Sequence, residues 1–160
     1  PLFPYTTLFR SNETAAICLH RSDRHPEAVL APALGTPDRA VFYKWLLVLA
    51  NSLHPDSLAY FYPERYTTDP TGAPAVKAAA EARMGALFDW IDGHLSSGPY
   101  LLGGTVSLLD LYLWMLVRWG REMTRPPRTL PNIARFLEQV TARPAVQRAL
   151  ASEGIAAPFY

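Results

Sequence analysis

Four histidines, one cysteine and a Ser-Leu-Leu-Asp run are the places where this chain could do chemistry. The histidines are His20, His25, His54 and His94. No two are four residues apart, so none forms the pair that grips a metal on one helix face, and no metal site is expected. His54 carries the most functional weight, because it stands at a helix break beside Pro55 and upstream of Tyr60-Phe61-Tyr62. Its competing reading is a surface or capping histidine. Ser107 and Asp110 could be a nucleophile and a base, but a triad needs a histidine that the sequence does not place beside them. Their three-residue spacing fits a capping box, with Asp in place of the usual Glu. Cys18 has no cation or histidine placed to activate it and reads as a small buried apolar residue. Arg118, Arg121, Arg125 and Arg128 read as a solvated helix end, and Tyr112, Trp114 and Trp119 as core aromatics.

Composition narrows the field further. Of 160 residues, 49% are hydrophobic and 18% charged, which is ample for a core and excludes disorder. Fifteen Lys and Arg against fourteen Asp and Glu leave a net charge of +1, which disfavours nucleic acid as a partner. One cysteine excludes an internal disulfide framework and fits a reducing compartment. Fifteen prolines against nine glycines point to many short elements with sharp stops.

The elements that must position these residues are helical. Asn12, as a cap, and Glu13 open a short helix that His25-Pro26 stops. Residues 26–35 form a linker, and Thr36-Pro37 is a strong helix start. The second helix runs to about Leu53 with Val41, Trp45, Val48 and Leu49 inward, and His54-Pro55 kinks or ends it. Residues 56–62 add a further helical turn or two, and residues 63–74 form a loop. The third helix covers roughly 74–96, with a stripe of Val76, Ala80, Met84, Leu87, Ile91 and Leu95. The fourth begins at Ser107 and is apolar all round, yet too short to span a bilayer, so it reads as the buried centre of a bundle. Ile133, Phe136, Leu137 and Val140 mark a fifth helix after Pro131, and Pro144 starts a sixth that ends near Gly154. No convincing period-2 strand is present.

Residues 1–11 (Pro-Leu-Phe-Pro-Tyr-Thr-Thr-Leu-Phe-Arg-Ser) share no period with the rest of the chain and resemble translated sequencing adapter, so they are expected to be non-native. From residue 12 onward the order of motifs resembles the C-terminal helical domain of glutathione S-transferases, particularly the bacterial beta-like forms. The matching stretches are Glu-Thr-Ala-Ala-Ile (13–17), Tyr-Lys-Trp-Leu through Leu-His-Pro (43–55), Phe-Tyr-Pro-Glu-Arg (61–65), Ser-Leu-Leu-Asp-Leu-Tyr-Leu (107–113), Leu-Val-Arg-Trp (116–119) and Ala-Arg-Pro-Ala-Val-Gln-Arg-Ala-Leu-Ala-Ser-Glu-Gly (142–154).

The resemblance implies an all-α glutathione-transferase C-terminal-like bundle over 32–160. Before it come the last helix of a thioredoxin-like glutathione-binding domain (12–31) and an artefact (1–11). It implies glutathione as co-substrate, no metal, a small electrophilic apolar substrate, a role in detoxification, a homodimer and a cytoplasmic location, with no membrane or nucleic-acid partner. Glu13 and Thr14 match the pair that holds the γ-glutamyl group. His54 matches a histidine near the glutathione thiol, with Pro55 where a lysine is common. His54, Phe61, Tyr112 and Trp119 match the substrate pocket, and Ser107 and Asp110 the structural capping box. The group that activates the thiol lies upstream in this family, so the parent is expected to be the transferase and this chain alone to be inactive. The alternative is a non-catalytic relative used for ligand binding or protein assembly.

Overall fold

The computed structural model describes residues 13–160. The expectations for residues 1–11, and the capping role given to Asn12, lie outside the described residues. Among the described residues every regular element is helical, apart from an isolated antiparallel bridge between Tyr100 and Gly103. None of their helices is long and apolar enough to cross a membrane.

Helix α1 spans Thr14–Arg24 and stops at His25, where proline cannot continue the ladder. One short 3₁₀ turn, Pro26–Ala28, interrupts the irregular linker beyond it. Helix α2 spans Pro37–Val48, and Thr36 Oγ1 accepts from the Arg39 N–H at 3.2 Å, a cap that contributes about 1 kcal/mol. The fully buried Arg39 guanidinium anchors this helix to the linker. It donates to Pro32 O at 2.9 Å and pairs with Asp23 at 2.7 Å.

His54-Pro55 does not end this helix. The chain passes through a π turn, Leu49–Leu53, directly into α3, His54–Phe61. Proline lacks an N–H and its ring crowds the carbonyl four residues back; a widened turn relieves that crowding. The His54 N–H accordingly donates to Leu49 O, five residues back. The inward ribbon also differs from the expected one. Phe42, not Val41, is fully buried, and Val41 is left 40% exposed. A one-residue step turns a helix by about 100°, and burying the ring removes more apolar area from water than burying the isopropyl group.

Helix α4, Ala73–His94, presents Ala80, Met84, Phe88, Ile91 and the adjoining Leu95 to the core. Val76 and Leu87 flank this stripe half-buried. Helix α5, Leu108–Trp119, is central and touches α2, α3 and α6. Helices α6, Pro131–Thr141, and α7, Pro144–Ser152, complete the bundle. Asp92 on α4 caps α6 from outside, accepting from the N–H groups of Asn132 and Ile133, both at 2.8 Å. Trp114 packs in the core as expected, its Nε1–H donating to Thr141 Oγ1 at 2.8 Å.

Candidate functional site

The start of α5 is built by a single buried carboxylate. Asp110 Oδ2 accepts from the Ser107 N–H at 2.7 Å and from the Ser107 hydroxyl at 2.9 Å, closing a capping box. Its other oxygen accepts from the Leu101 N–H at 2.9 Å. Burial holds this carboxyl above its ordinary value, outweighing the opposing pull of the hydrogen bonds. The bonds of the pair run to the helix start and to the loop before it, which is the geometry of a cap.

One turn further on, α5 faces α3, and two pairs of residues meet. His54 and Phe61 are seven residues apart on α3; Tyr112 and Trp119 are seven apart on α5. Seven residues are close to two helical turns, so each pair shares a face and spans about 10 Å. Between the helices, His54 Nδ1 lies 2.7 Å from the Tyr112 hydroxyl. The His54 ring meets Tyr112 edge-on at 5.9 Å and Trp119 at 5.3 Å, and Phe61 meets Trp119 at 6.4 Å and 90°. All four residues that the resemblance assigns to a pocket thus converge. Tyr112 is buried, His54 and Trp119 half-buried, and Phe61 exposed. The far end of α3 is pinned by Tyr60, whose hydroxyl donates to Glu122 O at 3.0 Å.

The electrostatics keep the central pair neutral. Burial lowers the tendency of His54 to take a proton, against a smaller opposing pull from the Glu13 carboxylate. Burial pushes the Tyr112 phenol up to about 12, and negative charge on Cys18 or Glu13 would add to this. Glu13, exposed just before α1, and Cys18 on α1 are the ionisable groups whose charge reaches the cluster. Cys18 is half-buried and its thiol is pushed up by burial, which fits an unreactive residue. Thr14 is half-buried at the start of α1 and bonds to no member of the cluster.

Two features went unseen in the sequence. Helix α5 is not covered on every side: Leu111 and Met115 are half-buried and, with Trp119, line an apolar groove of about 550 Å³ closed by Val146, Leu150 and Ile155. The spacing 111, 115, 119 was a readable signal of a separate apolar face. The basic stretch is solvated at Arg125 and Arg128, which are exposed, and less so at Arg118 and Arg121, which are half-buried. Arg118 is half-buried with an unpartnered Nε, and Arg125 pairs with Asp89 on α4 at 2.6 Å. No group of three or more His, Cys, Asp or Glu among the described residues is placed to hold a metal.

The described residues form an all-helical bundle in which α3 and α5 bring a histidine among aromatic rings. Residues 74–148 match the model of the glutathione S-transferase C-terminal domain. The chain is 32% identical over 157 residues to the uncharacterised GST-like protein YncG of Escherichia coli K12, covering 94% of this chain and 74% of that one. It is 27% identical over 143 residues to the glutathione S-transferase GstA of Escherichia coli O157:H7, covering 89% and 68%. A sphingomonad glutathione S-transferase solved with glutathione superimposes with a TM-score of 0.78 at 27% identity, covering 91% and 69%. The chain belongs to the glutathione S-transferase family.

Proposed function

We propose that this chain is the helical part of a cytoplasmic, homodimeric transferase that joins the glutathione thiolate to small electrophilic apolar molecules. The observation that carries this reading is the convergence of His54, Phe61, Tyr112 and Trp119 on one aromatic wall beside α1. Apolar faces of this kind take a planar electrophile by ring stacking and edge contacts. Glu13 and the first turn of α1 are the groups for the γ-glutamyl end. The Glu13 carboxylate suits its ammonium. Thr14, with N–H groups that no side chain caps, suits its carboxylate.

In the reaction the sulfur lone pair attacks the electrophilic carbon and forms the C–S bond. With an aromatic halide the carbon–halogen bond then breaks, and halide leaves with the bonding pair. A depressed thiol pKa raises the thiolate concentration at neutral pH. The activating residue belongs, on this reading, to a thioredoxin-like domain upstream, of which 12–31 are the last part and 32–160 the helical domain. The half-covered apolar face of α5 supports a further packed element, because such a face is unfavourable in water.

The test is conjugation of glutathione to an aromatic halide by two proteins: the 160-residue chain, and the same chain joined behind an upstream domain from its own locus. We expect no saturable turnover from the first and turnover from the second, with a Trp119→Ala change raising KM for the halide. Saturable conjugation by the chain alone would overturn the division of labour. Absence of turnover in the joined protein would overturn the transferase reading.

A further inference from the structure

We infer that Tyr112 is a positioning residue for His54: its hydroxyl donates to Nδ1 and so holds the imidazole as the Nε2–H tautomer, leaving a neutral N–H donor on a ring set among aromatic side chains. The starting point is the 2.7 Å contact between the two side chains. Two proton arrangements satisfy that distance. In one, Nδ1–H donates to the phenol oxygen; in the other, the phenol donates to Nδ1.

Hydrogen-bond satisfaction separates them. Tyr112 is only 4% exposed, and among the described residues its hydroxyl has no other partner. If Nδ1 carried the proton, the phenol hydrogen would be left buried without an acceptor, which costs about 1–3 kcal/mol. If the phenol donates, every buried group is satisfied and the remaining imidazole proton sits on Nε2, which bonds to no described residue. The half-buried ring can offer that proton to water or ligand. Trp119 and Tyr112 both meet the ring edge-on, at 75° and 76°, which restricts its rotation. Besides the two members of the pair, the ionisable groups whose charge reaches it are Glu13, just before α1, and Cys18 on α1. A phenol pushed up to about 12 keeps its proton at neutral pH, consistent with its part as donor.

A neutral donor at this point suits a soft or anionic acceptor, such as a thiolate sulfur or a departing halide. That last step rests on the proposed function; the tautomer does not.

The experiment is a two-bond ¹H–¹⁵N correlation spectrum of the whole 160-residue chain, labelled at histidine, at pH 8. The wild type should show His54 as the Nε2–H tautomer. Tyr112→Phe should move both ring nitrogens toward the mixed-tautomer pattern of free imidazole and raise the His54 titration midpoint by about half to one pH unit, the equivalent of one lost hydrogen bond. A wild-type spectrum of the Nδ1–H form, or a tautomer unchanged in Tyr112→Phe, would overturn the inference. Should Tyr112→Phe not fold, the wild-type tautomer ratio decides: an Nε2–H excess no greater than that of free histidine, which already favours this tautomer, would overturn the inference. An inactive joined enzyme with the Nε2–H tautomer in place would sink the transferase reading and leave this one standing.

Discussion

The Leu101 N–H donates to Asp110 Oδ1 across nine residues, so the carboxylate that caps α5 also fixes the loop leading into it. With both Ser107 donors on the second oxygen, one fully buried side chain joins the end of the loop to the central helix. Helix α5 carries Tyr112 and Trp119, so the placement of both rings against His54 depends on this joint.

Asp110→Ala should therefore destabilise the bundle more than an ordinary cap loss of about 0.5–2 kcal/mol. The Leu101 and Ser107 N–H groups would lose their acceptor, and each unpaired buried donor adds about 1–3 kcal/mol. Urea denaturation checks this: the midpoint should fall clearly, and an unchanged midpoint would remove Asp110 from the joint.

His54 makes stability depend on pH. Its folded pKa lies below the ordinary value of 6.5 because burial disfavours the imidazolium. The unfolded chain therefore takes up the proton first, and the His54 contribution, complete above pH 6.5, is lost as pH falls through the folded value. Urea midpoints for the wild type and His54→Gln, compared from pH 8 to pH 5, should converge on acidification. A gap that widens would mean that the folded state prefers the imidazolium.

Gly120 ends α5 at a close approach. A Cβ there would sit 2.9 Å from Pro127 Cγ, 3.0 Å from Pro127 Cδ and 3.1 Å from Met123 Sδ. The residue's φ is −76°, so backbone conformation does not demand glycine; space does. Gly120→Ala should cost about 1–3 kcal/mol by overpacking. At Gly85, where nothing lies within 4 Å, the same change should be neutral to stabilising. Thermal midpoints of the two variants give the comparison.

The sequence by itself determined the helices and most of their limits. Thr36-Pro37, Ser107 and the prolines at 131 and 144 act within a few residues of themselves, by supplying or removing hydrogen-bonding groups, and the helices begin where they stand. The periodic stripe on α4 was readable for the same reason, since each position depends on a repeat of fixed angle. Tertiary structure decided which of two adjacent faces turned inward, placing Phe42 rather than Val41 in the core. It also decided that Pro55 would be absorbed by a π turn, because continuing the helix carries His54 and Phe61 onto the side of α5 where Tyr112 and Trp119 lie. The His54–Tyr112 bond joins residues 58 positions apart. No local rule reaches that far: the pairing depends on how two helices pack, and so on core volume summed over the whole bundle.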